Sequence, residues 1–95
     1  MNIDWSQLIT KAMKDADLAT RLLVLQIEHE NSWRVAELMV IARQLEAIEE
    51  DEADETPPDL LPGTRKQWLK YRGQVSNWKD GAESYPDLTL RPIRP

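Results

Sequence analysis

The sequence predicts a mainly α protein: a helical hairpin or long helix that self-associates, an acidic linker, and a short aromatic helix with an extended, proline-containing tail. Three observations lead there. From Leu18 to Glu52 the chain has neither glycine nor proline, and Leu, Ala, Glu, Arg, Gln and Met dominate. Apolar residues in that stretch step by three and four. All six prolines fall at position 57 or later, which confines irregular structure to the back half.

The first expected element runs from about 5 to 14. Asp4 is its candidate N-cap and Gln7 stands where a capping box needs it. Trp5, Leu8, Ile9, Ala12 and Met13 share one face. Asp15 or Asp17 then caps a second helix, unless the first runs on. Within 18–52 only Glu28–Ser32 is weak, so this is either one helix of about 50 Å at 1.5 Å per residue or a hairpin broken near His29. Val24, Ile27, Asn31, Arg34, Leu38, Ile41, Leu45 and Ile48 follow heptad a and d spacing, with Asn31 as a register-setting polar position. Leu18, Leu22, Leu25, Trp33, Ala36 and Val40 make a second stripe. Two stripes mean burial on two sides. Either both are core within one bundle, or Val24, Ile27, Asn31, Leu38, Ile41, Leu45 and Ile48 are the seam of a homo-oligomeric coiled coil.

The organisation reads as a helical scaffold over 1–49, a linker over 50–63 and a module over 64–95. Residues 46–63 carry eight acidic and no basic side chains. Such a block, interrupted by Pro57, Pro58 and Pro62, favours solvation and mobility. Thr64 and Gln67 form a second capping-box pattern. Trp68, Tyr71, Val75 and Trp78 follow at spacings of three, four and three, giving a helix over about 65–78 with one aromatic face. Gly81 is suited to end it. The tail, with Pro86, Pro92 and Pro95, reads as extended and partly polyproline-like.

Charge and composition narrow the function classes. Net charge is −5, and the acidic block repels polyphosphate, so nucleic acid is an unlikely ligand by electrostatics. The last 32 residues carry seven basic and three acidic side chains, enough to pair with the acidic block of the same or another copy. There is no cysteine for a disulfide or thiolate metal site. The start of the sequence shows no basic segment followed by an apolar run, and apolar runs such as Leu22–Leu25 fall far short of the ~20 residues that span a bilayer. A cytoplasmic location, with no membrane contact, is expected. No catalytic constellation is legible. His29, the single histidine, lies between Glu28 and Glu30, neither of which is placed to orient its ring. The three glycines are isolated, so there is no phosphate loop. The acidic run lacks the glycine of a Ca²⁺ loop. No enzyme, cofactor or metal is expected.

What remains is the aromatic module. Trp68, Tyr71, Val75 and Trp78 either clamp the proline tail as a miniature core or form a hot spot for a partner, or both. Arg72 adds a fork able to grip a carboxylate in two places.

The segment RKQWLKYRGQVSNWKDGAESYPDLTLRPIRP, residues 65–95, resembles the C-terminal segment of phage tail assembly chaperones. The likeness rests on Trp68, Tyr71, Arg72, Val75, Tyr85, Pro86, Pro92 and Pro95. The sequence departs at Arg91, where that family often has Trp before the proline. It also has Pro57–Pro62 in place of the family's Asp-Trp lead-in. Ile3-Asp4-Trp5-Ser6, with Ile9-Thr10, resembles the Asn/Asp-Trp-Ser opening of related tail-fibre assembly proteins. The resemblance implies a helper in a bacterial host that binds a tail or tail-fibre polypeptide before or during assembly. Its partner-binding residues would be Trp68, Tyr71, Arg72, Val75, Trp78, Tyr85 and Pro86. Two other roles fit the residues: a structural coiled-coil component of a phage or prophage assembly, or a small regulatory protein that binds a host enzyme.

Overall fold

A computed structural model describes the backbone from Trp5 to Pro95 and the side chains from Lys14 onward. The mainly helical class is the observed one. Asp4 lies outside the described residues, as do the side chains of Trp5, Gln7, Leu8, Ile9, Ala12 and Met13.

Helix α1 spans Trp5–Glu52 without interruption. Neither Asp15/Asp17 nor Glu28–Ser32 starts a new helix. The absence of Gly and Pro leaves nothing to break the hydrogen-bond ladder, and Glu30 and Asn31 are held by partners from farther along the chain. At 1.5 Å per residue α1 is about 70 Å long, and it sets the molecule's extents of 82 × 22 × 15 Å.

Helix α2, Arg65–Ser76, packs on the distal half of α1. Its start is fixed by a complete capping box. The Thr64 hydroxyl accepts from the Gln67 N–H at 3.1 Å, and the Gln67 side chain accepts from the Thr64 N–H at 2.8 Å. It ends at Asn77, ahead of Gly81, whose positive φ of 92° serves the following turn instead. The tail then doubles back along α1. It is not extended throughout, because Asp87 caps a short 3-10 turn, Leu88–Leu90, by accepting from the Thr89 N–H at 3.0 Å. The Tyr85–Pro86 peptide is cis.

The core is small and lies between α1, α2 and the loop that joins them. Ile41, Ile48, Trp68, Tyr71 and Val75 are buried, with Trp33, Leu38, Leu45, Leu60 and Leu61 packed around them. Burying each large side chain contributes roughly 1.5–3 kcal/mol. This placement corrects the expected coiled-coil seam. Leu38, Ile41, Leu45 and Ile48 spend their apolar surface on the chain's own C-terminal module. Ile27 is half-buried and Val24 is exposed.

The segment expected as a linker, 50–63, lies partly on α1. Helix α1 takes up residues 50–52, and residues 57–63 lie docked on it. The buried Gln44 side chain donates to the Asp59 carbonyl at 3.0 Å and accepts from the Leu61 N–H at 2.8 Å. Arg43 grips the Asp59 carboxylate at 2.7 and 2.9 Å while also reaching Glu50, and Arg65 reaches Glu52 at 3.0 Å. Two arginines thus offset the like-charge repulsion that argued for solvation. Among the described residues, no helix is long and apolar enough to cross a membrane.

Candidate protein-interaction surface

The C-terminal module is held to α1 by a ladder of polar side chains at heptad spacing: Glu30, Glu37 and Gln44, all buried. Seven residues is close to two turns, so the three stack along one line of the helix. Each takes its partners from the module. Glu30 accepts from the Trp78 indole N–H at 3.1 Å and from the Arg91 guanidinium at 2.5 and 2.6 Å. Glu37 repeats the pattern, accepting from the Tyr71 hydroxyl at 2.8 Å and from Arg94 at 2.5 and 2.9 Å. Gln44 serves the 59–61 loop as described above. Between the first two rungs, Asn31 accepts from the Tyr85 hydroxyl at 2.6 Å and from Arg34, which also donates to the Trp78 carbonyl at 2.8 Å. Among the described residues every buried side-chain polar atom has a partner, as a buried polar network requires.

Electrostatics follow from this geometry. The Arg91 fork holds the Glu30 carboxyl below its ordinary range despite the opposing effect of burial, and the Trp78 N–H helps. Arg94 does the same for Glu37, with help from the Tyr71 hydroxyl. Burial, then the Glu37 carboxylate, pushes the Tyr71 phenol up. Both rungs are therefore ionic pairs at neutral pH.

The aromatic side chains complete the clamp. Trp68 and Tyr71 meet edge to face at 5.8 Å, as do Trp78 and Tyr85 at 5.5 Å. Arg91 lies over the Trp33 ring at 4.7 Å, a cation–π contact. Gly63 sits in the left-handed region at φ +124°, where a Cβ would come within 2.6 Å of the Trp68 indole nitrogen and 2.7 Å of the Pro95 Cβ.

The structure brings Trp68, Tyr71, Val75 and Trp78 together as an aromatic face, but it turns that face onto α1 and buries it. The sequence allows a hot spot for a partner, a clamp on the proline tail, or both; here the face packs on Ile41 and Ile48 of α1. Tyr85 and Pro86 are half-buried in the same contact, and Arg72 is exposed on α2. The sequence reading missed Glu30, Glu37, Gln44 and their partners Arg91 and Arg94. The signal was present as polar residues recurring every seventh position beside Ile41 and Ile48. The basic residues also go elsewhere than expected: Arg65 pairs with the acidic block, but Arg91 and Arg94 pair with Glu30 and Glu37 upstream of it.

The surface left for partners is consequently different. On the module's outer side, Leu69, Leu90 and Ile93 are exposed, Ile93 at 87%. A shallow groove there is lined by Gln74, Trp78, Glu83, Leu90, Arg91, Pro92 and Ile93. Lys66, Lys70 and Arg72 are exposed on α2. On α1, the segment 14–26 exposes Leu18, Leu22, Leu23, Val24 and Leu25. An open groove of about 990 Å³ lies where Leu22, Leu25, Gln26 and His29 face the 84–89 turn. Compared with protein-family models, curated proteins and solved structures, the chain matches none.

Proposed function

We propose that this chain is an assembly chaperone for a phage tail or tail-fibre polypeptide, and that it acts by binding and not by catalysis. The supporting observation is how the tail is presented. Arg91 and Arg94 anchor residues 91–94 to buried carboxylates, while Leu90 and Ile93, between and beside them, point apolar side chains into water. A backbone fixed in advance loses little further entropy on binding, so such side chains make efficient contacts. The exposed cations of α2, Lys66, Lys70 and Arg72, favour an apolar client segment with acidic residues. The resemblance of residues 65–95 to tail assembly chaperones supports the same reading. In it, Trp68, Tyr71, Val75, Trp78, Tyr85 and Pro86 build the binding module, and Leu90, Ile93 and Arg72 touch the client.

The test uses a host that carries the intact tail genes. Deleting this gene should drive a tail or tail-fibre polypeptide into the insoluble fraction. The wild-type chain should restore it, whereas Leu90→Asp with Ile93→Asp should not, although that variant keeps its helicity and urea midpoint. Normal tails in the deletion strain would refute the proposal. Stoichiometric retention of the chain in purified particles would instead favour a structural component.

A further inference from the structure

The face of α1 turned away from the ladder carries Leu18, Leu22, Leu25, Ser32, Ala36 and Met39, with His29 completing an unbroken four-three alternation. All are solvent-facing: Leu18 at 56%, Leu22 at 53%, Leu25 at 59% and Met39 at 70%, with Ser32 and Ala36 also exposed. At 3.6 residues per turn this stripe lies somewhat under a third of a turn from Glu30, Glu37 and Gln44, and the C-terminal module leaves most of it uncovered. A stripe with a 3.5-residue period is shaped for another helix. We infer that a second copy of this chain occupies it, as an antiparallel helix pair about a two-fold axis near residue 27.

The order of side-chain sizes is what selects a second copy and its direction. Leucines fill one end of the stripe, His29, Ser32 and Ala36 follow, and Met39 closes the other end. An antiparallel two-fold sets Leu18 against the partner's Ala36, Leu22 against the partner's Ser32 and Leu25 against the partner's His29. Three layers then join a leucine to Ala36, Ser32 or His29, and Met39 at each end falls against the partner's Asp15. A parallel pair would stack leucine on leucine at one end and serine on serine at the other, leaving a gap.

Two further features agree. The groove beside Leu22, Leu25 and His29 is walled on its other side by the 84–89 turn, where Leu88 is 56% exposed. A helix laid on the stripe at that level is cradled on two sides. Leu18, Leu22, Leu25, Val35 and Met39 expose on the order of 500 Å² per copy, about 1,000 Å² over two, near the size from which a specific interface becomes stable. Pairing also supports the 14–26 segment, since a helical arm with few tertiary contacts is marginal in water. Leu38, Ile41, Leu45 and Ile48 of the expected seam are thus taken by the chain's own module, and self-association moves to the other stripe.

Light scattering over a concentration series tests the pairing. The expected mass is twice 11.0 kDa, falling to the monomer value in Leu22→Glu/Leu25→Glu, with the tryptophan fluorescence and urea midpoint of the module unchanged. The chain has no cysteine, so direction is read by disulfide trapping. A mixture of Leu22→Cys and Ser32→Cys chains should give the mixed dimer, and Ser32→Cys alone should not link to itself. A monomer at every concentration, a dimer that survives both glutamates, or self-linking of Ser32→Cys in place of the mixed product would each overturn the inference.

Discussion

Removing Arg91 is the sharpest test of the polar ladder, because the two ends of its ion pair are unequally buried. The Glu30 side chain is 1% exposed and Arg91 is 23% exposed. In Arg91→Met the methionine keeps much of the packing but leaves Glu30 with the Trp78 N–H as its main donor. Stranding a buried charge costs about 3–5 kcal/mol, and the lost cation–π contact with Trp33 adds about 0.5–1 kcal/mol. Against a total stability on the order of 5–15 kcal/mol for a domain, most of the module's attachment would go. Glu30→Gln should cost less, about 1–2 kcal/mol. The amide still accepts from Trp78, and the partly exposed Arg91 can turn to water. Urea unfolding followed by tryptophan fluorescence, with circular dichroism for α1, gives both numbers. The ordering also depends on pH. Without its arginine, Glu30 can take up a proton and escape the penalty, so the deficit of Arg91→Met should shrink as pH falls from 7 toward 4. A deficit below about 1 kcal/mol at pH 7, or one that does not change with pH, would show that this pair behaves as a surface salt bridge and that the ladder does not hold the module.

Two further predictions concern the same contact. Gly63→Ala should destabilise the module by about 1–3 kcal/mol, because φ is +124° there and the new methyl meets the Trp68 ring and Pro95; an unchanged urea midpoint would refute the close approach. The wild-type chain should lose stability in acid. Glu30 and Glu37 have folded pKa values below their ordinary value of 4.5, so the unfolded chain binds protons first, and the stabilisation, complete above about pH 5.5, declines as pH falls through 4.5 and below. Thermal melts across that range should show it, and a midpoint independent of pH would count against both ion pairs.

How much of this was legible varies by element, for physical reasons. The helical class follows from local properties: propensity, the absence of breakers and the 3.6-residue period all act within a few residues. So does the Thr64–Gln67 capping box, whose partners are three positions apart. Which side of α1 receives the module is not local. Val24–Ile48 and Leu18–Val40 are both plausible apolar stripes. The choice depended on Glu30 and Glu37, which look like surface residues until Arg91 and Arg94, about sixty positions later, are placed beside them. The docked 57–63 loop was hidden for a similar reason. Like charges repel only when unpaired, and Arg43 and Arg65 lie outside the acidic block they neutralise.

The burial of the aromatic residues changes what their pattern means. Trp68, Tyr71, Val75, Trp78 and Tyr85 are the positions that stand out in residues 65–95, and each is spent on α1 or on a neighbouring aromatic ring. A pattern of buried anchors specifies how the module closes and says little about what it holds. Under the proposed function, selectivity for a client would come from outward positions: Leu69, Arg72, Leu90 and Ile93 on the module, and the leucines of the exposed α1 arm. Arg91 illustrates the distinction. Its side chain turns inward to Glu30 and lies over Trp33. Arg91 thus fixes how the module is held, while Leu90 and Ile93 nearby face the solvent.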